Sequence, residues 1–126
     1  MKIKKILGLI LFAFIGVLAL ASCKKSNFEI EYEGKTYSGD LYYGNYLNDY
    51  LLVSETNMYQ ITFVMDNGKS RIWLRDRGYQ KIDANTWEHP IDYTYYVLIN
   101  NGQEIIAREG LMIYIKTDYI KELQEG

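Results

Sequence analysis

Arg71, Trp73 and Arg75 stand at every second residue of one stretch, with Arg77 next in the series, in a chain whose formal charge is −2. Side chains two apart share one face of a strand, so guanidinium groups flank an indole there. Such a trio could clamp a carboxylate or phosphate while the ring stacks on a sugar or another ring. An outer sheet face, on which arginine stems cover an indole, has the same composition. Tyr42, Tyr43 and Tyr46 are the second candidate ligand surface. Tyrosines between Tyr42 and Tyr50 do not alternate cleanly, so some rings should meet solvent and offer contact area with a polar handle. All 13 tyrosines follow Cys23, and strand formation accounts for most of them.

Catalytic and metal chemistry find little material. His89, the sole histidine, adjoins Pro90 in an expected loop and reads as an exposed or edge residue. A catalytic triad would need a serine and a carboxylate converging on it, and no Gly-x-Ser-x-Gly elbow occurs. One histidine and one cysteine leave zinc without its usual nitrogen and sulfur ligands. Asp66-Asn67-Gly68 lacks the further spaced acids of a calcium loop. No catalytic residue, metal or cofactor is therefore assigned.

Cys23 closes a different pattern. Lys2, Lys4 and Lys5 precede an apolar run from Ile6 to Ala21, the tripartite layout of an export signal, and the run is shorter than the ~20 residues of a spanning helix. With a single cysteine no internal disulfide forms. Leu20-Ala21-Ser22-Cys23 resembles the lipobox of bacterial lipoproteins. The resemblance implies diacylglycerol on the Cys23 thiol, cleavage between Ser22 and Cys23, and acylation of the new amino group. It covers only the signal. It divides the chain into a signal peptide, 1–22, a lipidated tether, 23–27, and a domain, 28–126. It also implies the bacterial cell envelope, and the outer membrane in a host with two membranes, because residue 24 is lysine rather than aspartate.

Removing Lys2, Lys4 and Lys5 lowers the 14 basic side chains to 11, against 16 acidic ones. A surplus of acid argues against nucleic acid as a partner. The membrane, through lipid, is the first expected partner. A protein, glycan or lipid of the envelope, bound without catalysis, is the second. An accessory subunit of an envelope complex, which should expose an apolar patch, and a carboxylate-dependent hydrolase are the alternatives.

The elements that must position these residues are strands. Phe28-Glu29-Ile30-Glu31-Tyr32-Glu33 alternates apolar and acidic residues, the period of a half-buried strand. Gly34-Lys35 is read as its turn, which sets Tyr32 opposite Tyr37, Ile30 opposite Gly39 and Phe28 opposite Leu41. Asn67-Gly68 is the favoured type I′ pair and sets Phe63 opposite Ile72, Thr62 opposite Trp73 and Gln60 opposite Arg75. Asn101-Gly102 marks a third hairpin whose two faces are both apolar, as in central strands or a curled sheet covered on both sides. Residues 83–86 should fold Lys81 opposite Glu88, Pro90 should lie between strands, and Asp118 should cap a closing helical turn. Gly39 and Gly44 are read as relief where strands bend. Eight or nine short strands imply an all-β antiparallel meander, closed as a barrel or folded as a sandwich.

Overall fold

The computed structural model describes residues 28–124. The expected signal peptide, 1–22, and the expected lipidated tether, 23–27, with Cys23, lie outside the described residues. The described chain is antiparallel β and ends in one helical turn. Its strands are β1 Phe28–Tyr32, β2 Lys35–Gly44, β3 Asp49–Val53, β4 Met58–Asp66, β5 Lys69–Asp76, β6 Gln80–Asp83, β7 Thr86–Glu88, β8 Tyr95–Ile99, β9 Glu104–Ala107 and β10 Met112–Thr117, followed by α1 Lys121–Gln124.

Hydrogen bonding runs β5-β4-β3-β2-β10-β9-β8-β7-β6, and β1 joins β2 off this path. β5 and β6 are opposite edges of that order, yet only Arg77, Gly78 and Tyr79 connect them. Four residue steps reach at most about 14 Å, so the edges must approach each other. The sheet therefore curls into a half-barrel. Lys81 Nζ, 3.4 Å from the Glu55 carbonyl oxygen, ties β6 to the β3–β4 turn.

Apolar residues sort to the two faces of this sheet by strand alternation. The inner cluster contains Tyr42, Leu51, Met58, Trp87, Ile105 and Tyr114. The outer cluster contains Leu41, Tyr50, Leu52, Ile61, Leu74 and Ile120, with Phe28, Ile30 and Tyr37 packed on it. β2 belongs to both the covering hairpin and the main sheet: its first half pairs with β1 and its second half with β10. Tyr37 meets Tyr59 edge to face at 5.1 Å, so the β1–β2 hairpin folds back over β4. Gly39 lies where β2 turns, and a Cβ there would strike the Val53 carbonyl. Gly44 lets the Tyr114 ring lie against its backbone.

Cover is unequal. Val97, Ile99, Ile106, Ile113 and Ile115 form the outer face of β8, β9 and β10, and none belongs to either cluster. Ile113 is 46% and Ile115 59% exposed. The strands of this hairpin lie centrally in the curled sheet, as expected, and Val97, Ile99 and Ile106 on its outer face are half-buried, so the exposure falls on the neighbouring β10. β1 and Ile120, which provide outer cover, pack on the Leu41, Leu52 and Ile61 side instead.

Turn chemistry decides the registers. Asn67-Gly68 gives the predicted pairs, Phe63 with Ile72, Thr62 with Trp73 and Gln60 with Arg75. In the first hairpin the turn is Glu33-Gly34, both with positive φ, so Tyr32 faces Lys35, Ile30 faces Tyr37 and Phe28 faces Gly39. The displacement is two residues, an even number, which leaves the apolar faces unchanged. A bulge between Lys81 and Asp83 sets Lys81 opposite Trp87 rather than Glu88. Its ammonium lies 5.7 Å from the indole centroid. The closing helix starts at Lys121, and its first N–H donates to the Tyr50 hydroxyl at 3.1 Å, the capping role expected of Asp118. Ile120 docks the turn in the outer cluster.

Candidate functional site

Strand alternation carries Arg75, Gln60, Asp49 and Tyr114 to the inner face, and hydrogen bonds link them into one polar seam. Arg75 stands opposite Gln60 in the β4–β5 ladder. Its guanidinium carbon lies 4.0 Å from the centroid of the Trp73 ring, a cation–π contact. Arg75 Nη2 donates to Gln60 Oε1 at 2.9 Å, and Arg77 Nη1 reaches the same oxygen at 3.3 Å. Gln60 Nε2 donates to Asp49 Oδ2 at 2.8 Å, and the Tyr114 hydroxyl donates to that same oxygen at 3.0 Å. The amide thus separates two cations from one carboxylate.

Its two ends differ in solvation. Trp73 and Arg77 are exposed and Arg75 half-buried, whereas Asp49 is wholly buried. Asp49 Oδ1 and Arg75 Nε are buried without a hydrogen-bond partner. Burial raises the Asp49 carboxyl above its ordinary range, against the hydrogen bonds from Gln60 and Tyr114 and the charge of Arg77, which lower it. Burial, then the Asp49 charge, pushes the Tyr114 hydroxyl up as well. At the solvent end neither Arg75 nor Arg77 has a carboxylate within ion-pair distance among the described residues. Two guanidiniums without a carboxylate in ion-pair distance, Arg75 lying against an indole, can donate to an anion beside a stacking surface.

Of the sequence candidates, Trp73 and Arg75 come together here. Arg71 is tied to Asp66 in an exposed ion pair. The three tyrosines do not share a surface. Tyr42 is buried on the inner face, its hydroxyl donating to the Gly102 carbonyl at 2.6 Å. Tyr43 is half-buried on the outer face and donates to Asn48 Oδ1, and only Tyr46 is largely exposed. Arg77, Gln60, Asp49 and Tyr114 complete the seam beyond the sequence candidates. The Gln60–Arg75 pairing was implied by the Asn67-Gly68 turn. Asp49 had a fainter signal: in β3 it alternates with Leu51 and Val53, which places a carboxylate on an apolar face.

His89 requires correction too. It is buried, not exposed, and its ring packs edge to face on Tyr79 at 5.2 Å. Nδ1 accepts the Ile91 N–H at 3.2 Å and so organises the turn that holds Pro90. Asp49 bonds to an amide and a phenol. Among the described residues no group of three His, Cys, Asp or Glu side chains is placed to hold a metal ion. No described helix is long and apolar enough to cross a membrane. Comparison of the chain with protein-family models, with curated proteins and with solved structures finds no match, so its function must be read from its own residues.

Proposed function

We propose that this chain is a lipid-anchored binding module of the bacterial envelope, held through Cys23, whose β domain takes an anionic partner at Trp73, Arg75 and Arg77. The observation that supports binding over catalysis is the convergence of Arg75 and Arg77 on one neutral oxygen, Gln60 Oε1, beside an exposed indole. A carboxylate or phosphate arriving there replaces water with charge-assisted hydrogen bonds. A ring or sugar attached to that anion meets Trp73, so an acidic glycan or a phosphorylated headgroup fits better than an uncharged one.

Calorimetric titration of the detergent-solubilised protein with glucuronate-containing oligosaccharides and with glycerophosphate tests this reading. Binding that is lost in Arg75→Ala and Arg77→Ala, and kept in Arg71→Ala because Arg71 is already paired with Asp66, supports it. Absence of binding to both probes, or equal loss in all three variants, contradicts it.

A further inference from the structure

We infer that the bare outer face of β8, β9 and β10 rests on the bilayer that holds the anchor, at the level of the lipid headgroups. The inference rests on the reading of Cys23 as the lipidated residue. Val97, Ile106 and Ile113 form one row across the three strands, and Ile99, Glu104 and Ile115 form the next. Ile113 and Ile115 are exposed and Val97, Ile99 and Ile106 half-buried, none of them packed in either core cluster, so these rows offer aliphatic surface to another apolar phase.

The route of the chain points to the occupant. Phe28 pairs with Gly39 of β2 and packs in the outer cluster, so the chain enters on the outer side of the sheet. Two residues along the same strand, Leu41 pairs with Thr117 of β10, the strand that carries Ile113 and Ile115. The five steps from Cys23 to Phe28 span at most about 18 Å. A lipidated Cys23 therefore holds the outer side of the sheet within that distance of the bilayer surface, beside the bare strands. Exposed Tyr95 on β8 supplies an aromatic residue suited to the interface. Glu104 stands among the isoleucines, and a carboxylate there keeps the face at the headgroups rather than deep among the acyl chains. Trp73 and Arg75 lie on the inner face of the sheet and take no part in this surface.

Because the sole native cysteine is the acylated one, a second cysteine can carry a unique nitroxide. The lipidated full protein is prepared as Ile113→Cys, Ile115→Cys and Val64→Cys, the last an exposed apolar position on the inner face. It is labelled and reconstituted in phosphatidylethanolamine–phosphatidylglycerol vesicles. Intact mass first establishes diacylglycerol on Cys23. The expected result is relaxation by oxygen exceeding relaxation by a water-soluble nickel chelate at residues 113 and 115, and the reverse order at 64. Water-like behaviour at all three positions of a lipidated chain overturns the inference while leaving the anchor standing. Dipolar coupling between labels on two copies at residue 115 overturns it in favour of self-association. Loss of nickel access at 113 and 115 only after a protein from the native envelope is added assigns the face to that protein and also overturns it. A chain without lipid on Cys23 removes the anchor, and the inference with it.

Discussion

The outer face of the sheet has two halves built from the same kinds of residue and treated in opposite ways. Over β2 to β5, Leu41, Leu52, Ile61 and Leu74 are sealed by β1 and Ile120. Over β8 to β10, Val97, Ile99, Ile106, Ile113 and Ile115 have no such layer. A β-strand alternates in the same way whether its apolar face meets protein or lipid, and only the path of the chain ends distinguishes the two cases. One half is stabilised by burial, and the other is available for an apolar partner.

The largest test of that difference is Ile61→Ala. A wholly buried isoleucine lies in the sealed half, so its truncation should cost ~2–5 kcal/mol in urea unfolding. A loss below about 0.5 kcal/mol, the range of surface changes, would break the comparison. Tyr50→Phe probes the seal itself. The Tyr50 hydroxyl donates to Glu122 Oε1 at 3.0 Å and accepts the Lys121 N–H, and burial pushes its pKa up to about 12. Losing both bonds should cost about 1–2 kcal/mol and speed hydrogen exchange at residues 121–123, with exchange in β8 to β10 unchanged.

Asp49, on the inner face of the sealed half, gives a pH-dependent test. Its folded pKa is raised by burial, so its contribution to stability is fully present below the unfolded value of about 3.9 and is lost as pH rises through the folded value. The substitution Asp49→Asn keeps one side-chain oxygen to accept from both Gln60 and Tyr114 and removes the buried charge. That variant should therefore be more stable than the parent at neutral pH, with the gap closing towards pH 3. A gap that widens in acid would show the carboxylate to be stabilised in the fold. The smallest effect belongs to the bare half: Ile113→Ser and Ile115→Ser should each change stability by no more than about 0.5 kcal/mol.

Locally determined features could be read before any coordinates. Asn67-Gly68 needs only its own positive φ to fix the β4–β5 pairs, and through them the meeting of Gln60 with Arg75. Glu33-Gly34 was harder, because a glutamate in the left-handed region gives no compositional warning, and the register moved by two. Non-local features were hidden. The seam of Asp49, Gln60 and Tyr114 exists because β3, β4 and β10 present one curled face, and the bonded residues Asp49 and Tyr114 are 65 positions apart. Tyr42, Tyr43 and Tyr46 look alike in sequence and divide among core, half-buried face and solvent because Tyr42 and Tyr43 take opposite faces of β2 and Tyr46 lies in the turn that follows it.

The proposed anchor at Cys23 gives the exposed half its proposed role, and intact-protein mass spectrometry of the chain isolated from its native cell tests it most directly. A polypeptide that begins at Cys23 and carries a diacylglyceryl group on its thiol is the predicted result. A chain that retains Met1, or that carries an unmodified Cys23 thiol, would contradict the account.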